Sequence, residues 1–150
     1  KKADSKKEME DMFKDPSSDH AMRMRQHQAT ANLFVDRLAS HPHVSAVHSP
    51  GPNIVPGLTG RSGLLSVALN DNVDIPNLAD SLKLFRLGVS WGGFESLILP
   101  TRIGLNQAGE QNSMQRFGVS DRIVRLSLGL EDPNDLWADF EAALSKSART

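Results

Sequence analysis

The chain has 150 residues, of which 39% are hydrophobic and 23% charged, and its formal net charge is −1 at pH 7. A chain of this length can bury one compact core, and so small a charge gives no broad attraction for nucleic acid or an anionic membrane. It contains no cysteine, which excludes disulfides, thiolate nucleophiles and cysteine-ligated metals. No apolar run is long enough to span a bilayer, and we expect a cytoplasmic protein.

The amino-terminal half begins with a charged leader over residues 1–17, for which we expect at most a frayed helix. A long helix is predicted over 19–40, and Pro42 ends it because the residue before a proline disfavours the helical region. The side chains of this helix that recur at helical spacing define one buried stripe. They are Met24, Ala31, Phe34, Val35 and Leu38.

Short strands and further helices follow. Strands are predicted from alternation at 44–47, 63–69, 87–89, 96–99 and 123–129. Asp74 is expected to cap a helix running to about Leu84, and 101–120 is predicted to be a loop with a helical turn. The last helix begins at the cap Asp132 and at Pro133. Its predicted buried stripe comprises Leu136, Phe140, Ala143 and Leu144.

The order of these elements predicts the fold class. Short strands interleaved with three helices indicate an α/β fold of the α+β type, a two-layer sandwich with the helices on one face of a sheet. Because the strands alternate and so are buried on one side only, we expect a mainly antiparallel sheet.

Arg125 is the residue that carries most information about function. It lies in the predicted strand between Val124 and Leu126, where burying an unpaired guanidinium is costly. A strand fixes the direction of the side chain, and a planar guanidinium can grip a carboxylate through two parallel hydrogen bonds. We interpret Arg125 as a candidate carboxylate anchor. The alternative is a strand arginine on a solvated face, paired with a nearby acid.

The second candidate is the turn Ser90-Trp91-Gly92-Gly93. Its glycines allow backbone conformations closed to other residues and a close approach to a ligand. The indole of Trp91 could wall a pocket, and the hydroxyl of Ser90 could bond an anion. The alternative is a tight turn whose tryptophan fills the core.

The other polar residues indicate no further site. His41-Pro42-His43 has no established metal-site spacing, and His27 is expected at the surface or edge of its helix. Glu131 and Asp132 precede the last helix, where the helix dipole accounts for them. Neither a nucleophile elbow, nor a phosphate-binding glycine loop, nor a dinucleotide fingerprint occurs.

Three segments carry a family resemblance. They are TGRSGLLSVAL at 59–69, LFRLGVSWGGFESLILP at 84–100 and RIVRLSLGLEDPNDLWADFEAAL at 122–144. Together they resemble the C-terminal domain of the cystathionine synthases and lyases, the enzymes of cysteine and methionine metabolism that use pyridoxal phosphate. The resemblance covers residues 18–146, and it implies the small C-terminal domain of a fold-type I enzyme over 18–150.

The resemblance also implies roles for the candidate residues. Arg125 matches the arginine that holds the substrate's α-carboxylate, Ser90 a residue beside that carboxylate, and Trp91 a pocket wall. The order Ser-Trp-Gly-Gly-aromatic-Glu-Ser is similar to the bacterial cystathionine β-lyases, which cleave the Cβ–S bond of cystathionine and release homocysteine, pyruvate and ammonia. A cystathionine γ-synthase or γ-lyase is the alternative within the family.

The implied cofactor is pyridoxal 5'-phosphate, which the family binds as a Schiff base on a lysine of the large domain. None of the chain's lysines lies in a segment similar to that motif; they are Lys1, Lys2, Lys6, Lys7, Lys14, Lys83 and Lys146. The resemblance therefore implies a chain that is inactive alone and pairs with a large pyridoxal-phosphate-binding domain or chain. It also implies a homo-oligomer in the complete enzyme. A non-catalytic binding or assembly module derived from the family is the second hypothesis.

Overall fold

The computed structural model describes residues 19–51, 55–57, 60–107 and 112–149. The leader predicted over 1–17 lies outside the described residues. In chain order the elements are α1 (Asp19–Leu38), β1 (Val44–His48), β2 (Leu64–Leu69), α2 (Ile75–Ser81), β3 (Arg86–Leu87), β4 (Leu97–Pro100), α3 (Thr101–Leu105), α4 (Ser113–Arg116), β5 (Ile123–Ser127) and α5 (Pro133–Ser147).

The strands form one five-stranded sheet in the order β1-β2-β5-β4-β3. The central strand, β5, is antiparallel to both of its neighbours, β2 and β4. On the two outer sides, β1 pairs antiparallel with β2 and β3 pairs parallel with β4. A mixed α/β sheet with packed helices confirms the predicted fold class at that level.

The core lies between one face of the sheet and the helices α1, α2 and α5. Alternate residues of β2 and β5 point into it, as the two-residue period of a strand requires. From the helices come Ala31, Phe34 and Leu38 of α1, Ile75 and Leu78 of α2, and the whole predicted stripe of α5. The ring of Phe34 packs edge-on against Phe140, with 5.9 Å between centroids.

Helix α2 is shorter than the sequence predicted. Asp74 caps its start by accepting a hydrogen bond from the backbone N–H of Asn77 at 3.1 Å. That bond, together with the one from Arg149, lowers the pKa of Asp74. The helix ends at Ser81, Leu82 is already extended, and the carboxylate of Asp139 accepts hydrogen bonds from the backbone N–H groups of Lys83 and Leu84 beyond it.

The expectation for His27 was wrong, since its side chain is only 1% exposed. It lies four residues before Ala31 and therefore on the buried stripe of α1. Its Nδ1 is 2.7 Å from the carbonyl oxygen of Leu128. Gly63 allows this close packing, because a Cβ there would lie 2.6 Å from the same carbonyl oxygen of Leu128.

The segment predicted as a loop with one helical turn contains two short helices, α3 and α4. Helix α4 is closed by a capping box between Asn112 and Gln115, in which each side chain bonds the other residue's backbone N–H. Within the described residues, no helix is both long and apolar enough to cross a membrane.

We predict that Leu126→Ala destabilises the protein by about 2–5 kcal/mol, because this side chain fills the centre of the core. Leu126 is fully buried, whereas Leu87 on the edge strand is 59% exposed. Leu87→Ala removes the same atoms and should cost no more than about 0.5 kcal/mol. Urea unfolding measures both, and equal costs would contradict the assigned core.

Candidate functional site

Arg125 lies on the face of the sheet opposite to the core. In the register, Arg125 pairs with Ser66 of β2 and with Leu99 of β4, and His48 of β1 pairs with Ser66. Cross-strand partners project from the same face of a sheet. His48, Ser66, Arg125 and Leu99 therefore form one row across four strands.

This row lies in an open depression of about 550 Å³. Side chains of α3, α4 and the loop that follows contribute the rest of its lining, among them Thr101, Met114 and Val119. Small-molecule sites have volumes of roughly 300–1,000 Å³ and combine apolar walls with a few polar groups. Arg125 supplies the cationic group of this depression.

The guanidinium of Arg125 is held at one nitrogen by the backbone. Its Nη2 donates to the carbonyl oxygens of Val89 at 2.7 Å, Ser90 at 3.2 Å and Gly88 at 3.4 Å. Within the described ranges, its Nε and Nη1 have no hydrogen-bond partner and no acid pairs with it. The carbonyls orient the group without neutralising its charge, so it retains N–H donors for an anion.

The turn that carries Ser90 and Trp91 therefore lies beside Arg125. Contact is made through the carbonyl of Ser90, and the role of its hydroxyl stays a prediction. Trp91 is 59% exposed, which contradicts the alternative in which it fills the core. Gly92 has a φ of +75°, a conformation that a side chain would strain.

A second set of hydrogen bonds fixes the end of the longer turn that connects β3 to β4 and contains Ser90-Trp91-Gly92-Gly93. The carboxylate of Glu131 accepts from the backbone N–H of Ser96 at 2.9 Å and from its hydroxyl at 2.8 Å. The hydroxyl oxygen of Ser96 accepts in turn from the N–H of Gly129 at 2.8 Å. We call these contacts among Glu131, Ser96 and Gly129 the Glu131 latch.

Sequence reasoning missed the Glu131 latch because it assigned Glu131 to the helix dipole. Helix α5 begins at Pro133, and Asp132 is its N-cap, accepting from the N–H groups of Asn134 and Asp135. The carboxylate of Glu131 bonds Ser96 instead. Its position two residues before the helix was the available signal, but nothing in the sequence pairs it with a serine 35 residues away.

His41 has a structural role. Its Nε2 is 3.0 Å from Oε2 of Glu141, and its Nδ1 accepts from the backbone N–H of His43 at 3.2 Å. Both ring nitrogens of His41 are therefore engaged by the fold.

Comparison with known proteins gives one family. Residues 20–145 match the family described as Cys/Met metabolism PLP-dependent enzyme. The chain is 35% identical over 142 residues to cystathionine beta-lyase MetC of Escherichia coli, an alignment that covers 83% of this chain and 34% of that protein. It is 33% identical over 134 residues to an L-alanine/L-glutamate racemase of Wolbachia pipientis, covering 83% and 32%.

A solved structure is similar as well. The crystal structure of cystathionine gamma-lyase from Lactobacillus plantarum, complexed with L-serine, matches with a TM-score of 0.73 and 28% identity. The match covers 85% of this chain and 35% of that one. The chain thus spans about a third of the length of the proteins it matches.

The described residues do not fit the attachment of pyridoxal phosphate. Lys83 and Lys146 are the described lysines, and both line a separate depression with Asp139, between the end of α2 and α5. Neither lines the depression that contains Arg125. The part of the chain that the structure describes therefore offers no amine beside Arg125 for a Schiff base.

We predict that Gly129→Ala costs about 1–3 kcal/mol, as overpacking of a closed contact does. A Cβ there would overlap Oε2 of Glu131 and the carbonyl oxygen of Phe94, and would lie 2.6 Å from the backbone carbon of Glu95. Gly93→Ala is the control, since its Cβ would meet nothing nearer than 4.0 Å. Urea unfolding tests the pair; a tolerated alanine at 129 would contradict the geometry of the latch.

Proposed function

We propose that this chain, which belongs to the Cys/Met metabolism family of pyridoxal-phosphate-dependent enzymes, is the C-terminal domain that binds the substrate's carboxylate in a cystathionine β-lyase. In this proposal Arg125 grips the α-carboxylate, with Ser90 beside that carboxylate and Trp91 as a wall of the pocket. A lysine-bearing large domain supplies pyridoxal phosphate, whose chemistry when bound is that of an electron sink. A cytoplasmic homo-oligomer is part of the same proposal.

The observation that carries the proposal is the unneutralised charge of Arg125. Within the described residues its only partners are three carbonyl oxygens, all on Nη2. A guanidinium that keeps free N–H groups at Nε and Nη1, in a depression with many apolar walls, is suited to binding an anion. The α-carboxylate of an amino acid is such an anion.

The relatives support recognition of the part that amino acids share. Their names describe a cystathionine β-lyase, an alanine and glutamate racemase and a cystathionine γ-lyase with bound serine. These proteins differ in the bond that reacts and in the side chain of the substrate, but every substrate has an α-carboxylate. An anchor for that group is therefore useful to all of them.

The choice of β-lyase within the family depends on Trp91. The turn Ser90-Trp91-Gly92-Gly93 resembles the bacterial β-lyases, and its indole is 59% exposed and so available to a ligand. A γ-synthase or γ-lyase is the alternative. In each case the share of this chain is to hold and orient the substrate, which lowers the entropic part of a barrier without providing the reacting group.

We predict that L-alanine binds the 150-residue chain weakly and perturbs the NMR signals of Arg125 and of the turn at Ser90. Ethylamine, which is alanine without its carboxylate, should not. Arg125→Lys should weaken binding about tenfold or more, because a compact ammonium cannot both bond the carbonyl oxygens of the turn and keep N–H donors directed at the anion, as the extended guanidinium does. Arg86→Lys, an exposed position on the edge strand, is the matched control. Equal affinities of the two variants would refute the assignment of Arg125.

The second candidate function is an assembly module that docks on a large-domain chain. The observation in its favour is the exposure of apolar side chains along the segment 84–100, where Val89 is 73% and Phe94 72% exposed. Clustered exposed apolar groups are typical of an interaction surface. This candidate needs no bound amino acid, and binding of alanine therefore distinguishes the two.

For this second candidate we predict that the double change Val89→Ser and Phe94→Ser weakens association with a lysine-bearing large domain about tenfold or more, since buried apolar anchors dominate interfaces. The control is Met22→Ser with Val55→Ser, at positions that are 51% and 55% exposed. Calorimetry with a separately produced large domain measures both. An equal effect of the two pairs would contradict docking through this surface.

A further inference from the structure

We infer that Glu131 is a positioning residue for carboxylate recognition: through Ser96 it fixes the turn whose carbonyl oxygens orient Arg125. The inference rests on the proposed function of Arg125, and it assigns a role to a residue that contacts neither substrate nor cofactor. Three sets of contacts connect the two residues: Glu131 bonds Ser96, Ser96 adjoins the turn, and the turn bonds Arg125.

The first set of contacts is the Glu131 latch. Hydrogen bonds to a carboxylate are stronger than those between neutral groups, and both oxygens of Glu131 are used, one on the N–H and one on the hydroxyl of Ser96. Ser96 is fully buried. Loss of Glu131 would leave two buried donors unsatisfied, which costs more than the loss of an exposed bond.

The second set of contacts confines the turn between β3 and β4. At its start, the N–H of Gly88 donates to the carbonyl of Ile98 at 3.2 Å. At its end, the carbonyl of Phe94 accepts from Leu130 at 2.8 Å, directly beside the Glu131 latch. Strand β3 has only two residues, so the sheet alone holds the segment weakly, and the Glu131 latch adds to the backbone bond from Leu130 in fixing its end.

The third set of contacts is the one with Arg125. The carbonyl oxygens of Val89 and Ser90 accept from Nη2 and thereby set the plane of the guanidinium. When the turn is fixed, Nε and Nη1 have one orientation toward the depression. When the turn is free, Nη2 loses these partners and the charged group samples many rotamers, which a bound carboxylate must then order at an entropic cost.

Glutamine at position 131 makes a graded test possible. The hydroxyl of Ser96 accepts from Gly129, so its own hydrogen needs an acceptor on residue 131. In Glu131→Gln the amide oxygen can still accept from the N–H of Ser96, but the amide nitrogen cannot accept the hydroxyl. Glu131→Gln therefore removes one bond of the latch, and Glu131→Ala removes both.

The control is Asp132→Ala, at the neighbouring acid. Asp132 caps α5 through Asn134 and Asp135 and makes no bond to the turn. Its loss lowers the thermal midpoint through the helix and should leave the turn unchanged. It thus separates a loss of stability from a loss of positioning.

The experiment measures the NMR signal and hydrogen exchange of the Arg125 Nε–H without ligand, then the affinity for L-alanine, in the 150-residue chain. We expect Glu131→Ala to speed hydrogen exchange and to weaken alanine binding about tenfold, the equivalent of one strong hydrogen bond. Glu131→Gln should weaken alanine binding about threefold, the equivalent of one ordinary hydrogen bond. Asp132→Ala should leave both readouts as in the wild type.

Three results are decisive. If both Glu131 variants retain the wild-type exchange and affinity, or if Asp132→Ala lowers affinity equally, the positioning role is wrong. If Glu131→Ala does not fold, Glu131→Gln decides alone by the same two readouts. If the Glu131 variants speed the hydrogen exchange of the Arg125 Nε–H but the wild type does not bind alanine, the proposed function fails while the link from Glu131 to Arg125 stands.

Discussion

The charge of Arg125 is the constraint on which the site depends. Placing a guanidinium in the middle of a sheet is costly unless polar partners replace the water it loses. Among the described residues, the partners are backbone carbonyls, all on Nη2. Carbonyl dipoles compensate for lost hydration but leave the full positive charge, so the group is both fixed in direction and still in need of an anion. An acid at the same place would have made a stable pair and no binding site.

The fold meets this constraint by dividing the central strand between two tasks. One side of β5 packs Val124 and Leu126 into the core, where both are fully buried, and the other side presents Arg125. β5 is hydrogen-bonded to an antiparallel neighbour on each side. The close packing of the core holds this strand in place and thereby fixes the direction in which Arg125 projects. The helices α1, α2 and α5, which pack on the core face of the sheet, thereby also position the site, although none of them lines the depression.

Local patterns were enough to predict what depends on local physics. Alternation along 123–129 predicted the two faces of β5, and the cap and stripe of the last helix predicted α5. What could not be predicted depends on contacts between distant segments: the alignment of His48 and Ser66 with Arg125 needs the strand register, and the N–H groups just beyond α2 bond the distant Asp139. His27 was an error of a different kind, since its place on the stripe of α1 was visible, and only the polarity of imidazole argued for the surface.

The proposed function implies a division of labour. A grip on the α-carboxylate is useful to reactions that break different bonds, so one domain can provide it while a lysine elsewhere in the enzyme holds the cofactor. A fixed α-carboxylate leaves the substrate free to rotate about the bond between that carboxylate and Cα. Residues outside this chain then determine which substituent of Cα faces the cofactor. The orientation of Arg125 then matters more than the affinity for the carboxylate, because a small change in the angle of the guanidinium displaces the distant atoms of the substrate by a larger distance. In the proposed function, a half-buried carboxylate such as Glu131 secures that orientation without touching the ligand, since it holds the backbone whose carbonyl oxygens orient the guanidinium.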